Sequence, residues 1–178
     1  TDDGRPVATY VFRDDKILRP YFANVHAPGG IQVTRNHPPV PNVDATDHDT
    51  MHPGVWLAFG DLNGQDFWRN KARIVHVRFV EAPAVRDGRV TFTAENTFQA
   101  ANGGEICKQT SRLALAARPA GYLLIWEATF RPEQREIVFG DQEEMGLGVR
   151  VATPIAVKQG GTIVDAMGRR NEREVWGN

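Results

Sequence analysis

Apolar and polar residues alternate with a period of two over four long segments in the middle of the chain, residues 72–83, 89–101, 105–117 and 122–131. In the second segment Val90, Phe92 and Ala94 alternate with Thr91 and Thr93. A period of two places the apolar side chains on one face of a β-strand. We therefore predict four consecutive strands, each longer than the usual ~5–6 residues, in a sheet that bends or twists in its middle.

Short segments that contain residues able to adopt positive φ separate these strands: Asp87-Gly88, Asn102-Gly103-Gly104 and Pro119-Ala120-Gly121. Because such residues favour tight hairpin turns, we expect the four strands to form an antiparallel meander. No segment of adequate length has helical periodicity. The sequence therefore predicts an all-β fold.

The flanking regions add shorter strands. Residues 7–12 and 17–25, separated by Asp14-Asp15-Lys16, predict an N-terminal hairpin, and residues 31–34 predict a short strand. Residues 54–60 are apolar and fit either a buried strand or a helical turn. Further strands are predicted over residues 137–139, 147–152, 154–157 and 162–164, followed by a solvated charged segment over residues 168–174.

An open sheet leaves an apolar face that a second layer must cover, so we predict an antiparallel two-sheet sandwich. A chain of 178 residues suffices for one such domain, residues 1–178. An aromatic residue close to the end, Trp176 before Gly177 and Asn178, leads us to expect that this domain belongs to a longer one. The start at Thr1 leaves open whether a leader was removed or omitted.

Composition narrows the range of partners. A formal net charge of −1 argues against nucleic acid or an anionic membrane surface as partner. No apolar run approaches the ~18–20 residues that span a bilayer. The single cysteine, Cys107, excludes an internal disulfide. Cys107 is interpreted as a small strand residue rather than a nucleophile, because it stands between Ile106 and Lys108 in a predicted strand.

The alternation stops in one polar stretch, residues 34–68, which holds three of the five histidines, His37, His48 and His52. Irregular polar loops carried on a rigid scaffold are where binding and catalysis concentrate. We therefore predict that this stretch carries the function.

Its central motif is D-H-D-x-x-H, in which Asp47 and Asp49 flank His48 and His52 follows. Histidine and carboxylate at this spacing suit a divalent metal such as Zn, Mn or Fe. They equally suit metal-free general acid/base chemistry, since histidine titrates near neutrality and an aspartate can fix its tautomer. A third interpretation is that these histidines satisfy backbone groups of the turn. His26, His37 and His76 are interpreted as structural.

Six polar or aromatic residues complete the candidate site. Arg35 and Asn36 enter the stretch from a strand, where a guanidinium suits a carboxylate or sugar hydroxyls. Glu144 is predicted to complete an acid/base pair with the histidines and Arg150 to keep it ionised, the alternative being an exposed hairpin tip. Trp56 and Trp68 suit stacking on a sugar ring, although core packing is the more frequent use of such residues.

Three motifs resemble the family labelled methane oxygenase PmoA-like: T-R-N-x-P-P-V, then D-H-x-x-x-H-P-G-x-W-L-A-F-G-D-x-N-G-x-D-F-W, then G-x-G-V-R. The resemblance covers most of the chain and is most specific from His48 to Trp68. The label does not describe the chemistry, because a methane monooxygenase membrane subunit needs spanning helices. Many relatives have two adjacent histidines where Met51-His52 stands here, which weakens the metal interpretation.

The resemblance implies a galactose-mutarotase-like sandwich (supersandwich), incomplete at the C-terminus because relatives run on past Trp176. It implies a concave face lined by Arg35, His48, His52, Glu144 and Arg150. It further implies a sugar or glycoside as ligand, proteins of sugar degradation as companions, and export from the cytoplasm.

Two classes of function therefore stay open from the sequence. The first is an enzyme acting on sugars or keto-sugars, an epimerase, isomerase, lyase or hydrolase, with His48 or His52 and Glu144 as proton-transfer groups. The second is a non-catalytic carbohydrate-binding module that uses Trp56 and Trp68 as platforms. A metal-dependent enzyme with His48 and His52 as ligands is a variant of the first.

Overall fold

The computed structural model describes residues 4–133 and 136–176. Within these residues lie ten strands and one α-helix, α1 (Asn171–Val175). None of the helices there is long and apolar enough to cross a membrane. The strands are β1 (Thr9–Val11), β2 (Tyr21–Ala23), β3 (His26–Ala27), β4 (Ile31–Gln32), β5 (Val55–Phe59), β6 (Arg73–Arg86), β7 (Arg89–Gln99), β8 (Glu105–Arg118), β9 (Gly121–Pro132) and β10 (Met145–Val149). The prediction of an all-β fold is confirmed. The predicted continuation of the domain past Trp176 stays a prediction, because Gly177 and Asn178 already lie outside the described residues.

The long strands β6 to β9 pair in chain order, which confirms the antiparallel meander. Arg86 and Arg89 are paired across a two-residue turn in which Asp87 and Gly88 both have positive φ, 50° and 71°. Positive φ at both positions matches the twist of the flanking strands. The pairing of β6 with β7 shifts register between His76 and Ala84. Such irregularities bend a strand and increase its twist.

The second sheet has the order β1–β2–β5–β10. It contains the predicted hairpin, because β1 and β2 pair from Thr9–Ala23 to Val11–Tyr21. The apolar segment over residues 54–60 contains the strand β5 and no helical turn, which settles the alternative left open by its periodicity. β10 comes from late in the chain and lies antiparallel to β5. A small third sheet pairs β3 with β4.

Aromatic contacts join the two four-stranded sheets face to face. The ring centroids of Tyr10 and Phe92 are 4.8 Å apart, and those of Phe22 and Trp126 are 5.7 Å apart. In both pairs the first ring belongs to the second sheet and the other ring to the meander. Two antiparallel sheets that share a core in this way form a β-sandwich, as predicted. The particular type of sandwich stays a prediction.

The second sheet has two covered faces. Phe22 and Val55, which are paired between β2 and β5, point towards the meander. Tyr21 and Trp56 are paired one residue further along and therefore point to the opposite face. There the ring of His52 stacks on Trp56. This opposite face is thus covered by residues 34–54, which we call the polar loop.

Cys107 lies on β8 and is fully buried, as expected of a small strand residue. Burial, together with the charge of Glu133, raises the pKa of its thiol to about 11. A protonated and buried thiol is inert as a nucleophile.

Part of the C-terminal strand prediction is wrong. Instead of a strand, residues 154–157 contribute to two single-turn 3₁₀ helices, Thr153–Ile155 and Val157–Gln159, with Ala156 between them. The backbone there bonds locally, with the N–H of Ala156 donating to the carbonyl of Thr153 over 3.2 Å. Residues 137–139 and 162–164 contribute only single bridges, from Phe139 and Val164. Branched side chains favour strands, but a strand forms only where another strand offers an edge.

Candidate functional site

The polar loop is folded around the guanidinium of Arg35, which is 1% exposed. Its Nη1 donates to the carbonyls of Ala45 and Asp47, both over 2.7 Å, and its Nη2 to the carbonyl of His52 over 3.0 Å. Burial and, next, the nearby charge of Arg150 lower the pKa of Arg35. The predicted clamp for a substrate therefore binds the loop backbone in this conformation.

Asn36 is likewise engaged inside the loop. Its Nδ2 donates to Oδ2 of Asp44 over 2.8 Å, and its Oδ1 accepts from Nε2 of Gln32 over 2.9 Å. The Asp44 carboxylate also accepts from the hydroxyl of Thr153, 3.2 Å away. Asn36 thus ties the start of the loop to its middle.

Of the predicted catalytic residues, His48 is the most exposed to solvent, with 54% of its side chain accessible. Its Nδ1 lies 3.4 Å from Oδ2 of Asp47, and its ring centroid lies 5.0 Å from that of His52. Arg150 donates from Nη2 to Oδ1 of Asp47 over 2.7 Å. The structure therefore brings together His48, His52, Asp47 and Arg150 at one end of β10.

His52 lies deeper, stacked on Trp56 with a centroid distance of 5.0 Å and an interplanar angle of 12°. Its Nε2 accepts a hydrogen bond from Nε1 of Trp68 over 3.3 Å. Burial first, and then the charges of His48 and the neighbouring arginines, lower the pKa of His52 to about 4. His52 is therefore neutral at pH 7, and its Nε2 lone pair is already engaged.

This burial leads us to expect that the fold weakens on acidification. The native pKa of about 4 lies below the ordinary 6.5, so the unfolded chain takes up the proton first. The stabilisation is complete above pH 6.5 and is lost as the pH falls towards 4. We expect His52 to contribute about 1–2 kcal/mol to this loss, after a discount for its partial exposure.

Urea unfolding at pH 7.5, 6.0 and 4.5 measures the effect in the wild type and in His52→Gln. The variant should be less stable at pH 7.5 but lose less stability on acidification. His37 and His76, whose pKa values are also lowered by burial, account for a remaining slope. Equal slopes in the two proteins would contradict the assignment to His52.

Trp56 and Trp68 are packed rather than open. They are 2% and 8% exposed, and their ring centroids are 5.1 Å apart. The guanidinium of Arg19 lies 5.5 Å from the centroid of Trp56. Less than a tenth of either residue is exposed, so neither presents a platform for a sugar in this conformation.

Glu144 lies at the other end of β10. Its carbonyl accepts from the N–H of Gly60, whereas Arg150 donates its N–H to the carbonyl of Gly54. At about 3.3 Å per residue, those two ends are about 20 Å apart along the strand. The Glu144 carboxylate pairs with Arg69, and the predicted His–Glu pair is not formed.

A cleft that the sequence did not indicate lies beside the polar loop, on the same face of the second sheet as Trp56. Its volume is about 620 Å³, within the range of ~300–1,000 Å³ usual for small-molecule sites. It is lined by Thr9, Val11, Asp14, Asp15, Lys16, Tyr21, Ala23, Asn24, His37, Pro38, Pro39, Asp49 and Thr50. From the sequence, Asp14 and Lys16 were interpreted only as turn residues, because no local pattern linked them to His37.

No group of three or more His, Cys, Asp or Glu side chains in residues 4–133 and 136–176 is arranged to hold a metal ion. His48 and His52 are close, but a third ligand of that kind does not join them. The pair by itself therefore supplies fewer ligands than the three or four protein groups usual for zinc.

The described residues thus form an antiparallel β-sandwich with a polar loop and a cleft on one face of its second sheet. The chain belongs to DUF6807, a family of unknown function, whose match spans residues 1–178. Searches among curated proteins and among solved structures gave no significant match. The family description contains neither the methane oxygenase label nor a mutarotase-like fold, so both stay predictions from the resemblance.

Proposed function

We propose that the protein is a carbohydrate-active enzyme that binds a sugar or keto-sugar in the cleft beside the polar loop and transfers a proton through His48. The reaction classes that fit are epimerisation or isomerisation, elimination and hydrolysis. The observation that carries the proposal is the His48 imidazole. More than half of the His48 side chain is exposed, a carboxylate lies 3.4 Å from its Nδ1, and the next residue in the chain, Asp49, lines the cleft.

The Asp47 carboxylate suits the role of an orienting group for His48. Arg150 holds one of its oxygens over 2.7 Å, and Arg35 lies 3.8 Å away. Burial disfavours the charge of the Asp47 carboxylate, but the positive charges of Arg150 and then Arg35 outweigh this effect and lower the pKa of Asp47. An ionised carboxylate at Nδ1 favours the tautomer that leaves Nε2 free to take a proton.

Glu144 fits a supporting role better than that of the second proton-transfer group. Its ion pair with Arg69 and its position at the far end of β10 both separate it from His48. Within the proposal, Glu144 and Arg69 hold the end of β10 against residues 60–69.

The test is turnover of a panel of aldoses, keto-sugars and p-nitrophenyl glycosides. We expect His48→Ala to lower kcat at least a hundredfold, the usual contribution of a general acid or base. Glu144→Gln should retain more than a tenth of the wild-type kcat. If His48→Ala turns over every active substrate at the wild-type rate, His48 has no catalytic role.

A non-catalytic sugar-binding protein is the second candidate. The separation of Glu144 from the histidines favours it, because Glu144 then does not act together with His48 on one substrate. Binding of a panel sugar by the wild type without any turnover would select this function.

A further inference from the structure

Asp14 is one of the residues that line the cleft, and its carboxylate is held in place by hydrogen bonds. Its Oδ1 accepts from the backbone N–H groups of Lys16 and Ile17 over 2.7 and 3.0 Å, and its Oδ2 accepts from the Tyr21 hydroxyl over 2.6 Å. Burial opposes the charge of this carboxylate, but the hydrogen bonds from these donors outweigh it and lower the pKa of Asp14. A carboxylate oxygen has two lone pairs, so Oδ2 can accept one more hydrogen bond.

His37 faces this carboxylate without bonding to it. Its Nε2 lies 4.0 Å from Oδ2 of Asp14, beyond the range of a hydrogen bond. Its Nδ1 is buried and has no hydrogen-bond partner. A buried N–H without a partner is rarer than a buried lone pair, and the Asp14 charge attracts a donor. The favoured tautomer therefore carries its proton on Nε2, and burial, by lowering the pKa of His37, keeps the ring neutral.

The gap between the two groups fits a single hydroxyl. An oxygen atom about 2.8 Å from each can bridge a separation of 4.0 Å. Such an oxygen would accept from Nε2 of His37 and donate to Oδ2 of Asp14. A hydroxyl group performs both roles at once.

The remaining lining suits a ring with both polar and apolar edges. Thr9, Asn24 and Thr50 offer hydroxyl and amide groups. Val11, Ala23, Pro38 and Pro39 offer apolar surface. A monosaccharide has hydroxyls on its rim and C–H groups on its faces, so this mixed lining matches it.

The charges around the cleft disfavour an anion. Asp14, Asp15 and Asp49 contribute three carboxylates, against one ammonium from Lys16. Bringing a further carboxylate or phosphate into this volume would place like charges close together, which costs binding free energy.

We propose that the cleft binds a neutral monosaccharide, that Asp14 and His37 share one of its hydroxyls, and that the surrounding carboxylates reject acidic sugars. This inference rests on the proposed function and specifies its substrate class and binding residues.

Saturation-transfer NMR titrations provide the first test, with D-glucose, D-galactose and D-mannose as neutral probes. D-Glucuronate and glucose 6-phosphate are the acidic counterparts of D-glucose, and D-galacturonate and D-mannuronate are those of D-galactose and D-mannose. We expect at least one neutral sugar to bind at least tenfold more tightly than its acidic counterpart at low ionic strength. Equal or tighter binding of the acidic sugars would overturn the charge selection.

Variants of the pair provide the second test. Loss of the hydrogen bond to the charged Asp14 carboxylate should weaken binding of the neutral probe about tenfold to a hundredfold in Asp14→Asn, and loss of the hydrogen bond from the neutral His37 ring should weaken it about twofold to tenfold in His37→Gln. Asn keeps an oxygen for the N–H groups of Lys16 and Ile17, so the hairpin is expected to fold, and thermal unfolding checks this. Binding unchanged in both folded variants would overturn the role of the pair.

A charge reversal at an exposed residue of the cleft tests the charge selectivity without disturbing the packing of the fold. Asp49 is exposed, and Asp49→Lys should raise the affinity for D-glucuronate relative to D-glucose at least fivefold. Glu127→Lys, on an exposed position of β9, is the matched control and should leave that ratio unchanged. An equal shift in both variants would overturn the assignment of selectivity to the cleft.

The outcomes separate this inference from the proposed function. Sugar binding or turnover that is insensitive to Asp14, His37 and Asp49 would overturn the inference and leave the proposed function standing. Absence of binding and of turnover with every sugar of both panels would overturn both.

Discussion

Replacing Arg35 with methionine is expected to lower the free energy of unfolding by about 3–5 kcal/mol, the usual cost of breaking a buried charged network. The guanidinium is 1% exposed and satisfies the carbonyls of Ala45, Asp47 and His52. Methionine fills part of the volume but leaves these carbonyls without their donor. The loss should be largest in the polar loop, where limited proteolysis should cut the variant faster than the wild type.

Arg150→Met is the matched control, because Arg150 also pairs with Asp47 but does so at the surface. The Asp47 side chain is 50% exposed, and exposed pairs contribute about 1 kcal/mol or less. Chemical denaturation of both variants at pH 7 gives the comparison. A loss below about 1 kcal/mol in Arg35→Met would show that the loop does not depend on the buried guanidinium.

Adding one methyl group at Gly54 is expected to destabilise the fold by about 3 kcal/mol, at the upper end for overpacking. A Cβ atom at this position would overlap the carbonyl oxygen of Phe22 on β2. That oxygen belongs to backbone in the middle of the second sheet, so it cannot rotate away as a side-chain atom would. The carbonyl of Gly54 also accepts from the N–H of Arg150 over 2.7 Å, so a shift would disturb both neighbours of β5.

Gly121→Ala provides the control for Gly54→Ala. Gly121 opens β9, and a Cβ atom there would meet nothing within 4 Å. We expect this variant to change stability by at most about 0.5 kcal/mol. Thermal unfolding of the two alanine variants should therefore give clearly different midpoints. Similar midpoints would contradict the close approach of Gly54 to β2.

The sequence identified the loop that is unusual but not what its polar groups bind. Histidine-rich, irregular composition from residue 34 onwards pointed to the polar loop. Composition does not distinguish a guanidinium that donates to backbone carbonyls, as that of Arg35 does, from a guanidinium that binds a ligand. Likewise Trp56 and Trp68 are equally aromatic as platforms or as core residues, and only their exposed fractions, 2% and 8%, decide between the two.

By itself, the sequence determined the elements of this protein that depend on near neighbours. The period of two and the turn residues between strands, such as Asp87-Gly88, were enough to predict the meander, because side-chain direction and turn geometry are set within a few residues. The two-sheet sandwich followed from the need to cover an apolar face.

Only the tertiary structure decided which distant residues meet. The pairing of β10 with β5 joins residues about ninety positions apart and sends Glu144 and Arg150 to opposite ends of one strand. The same folding brings His37 to Asp14 across the cleft. Such contacts depend on how whole sheets and loops pack, and no period or motif within a short segment carries that information.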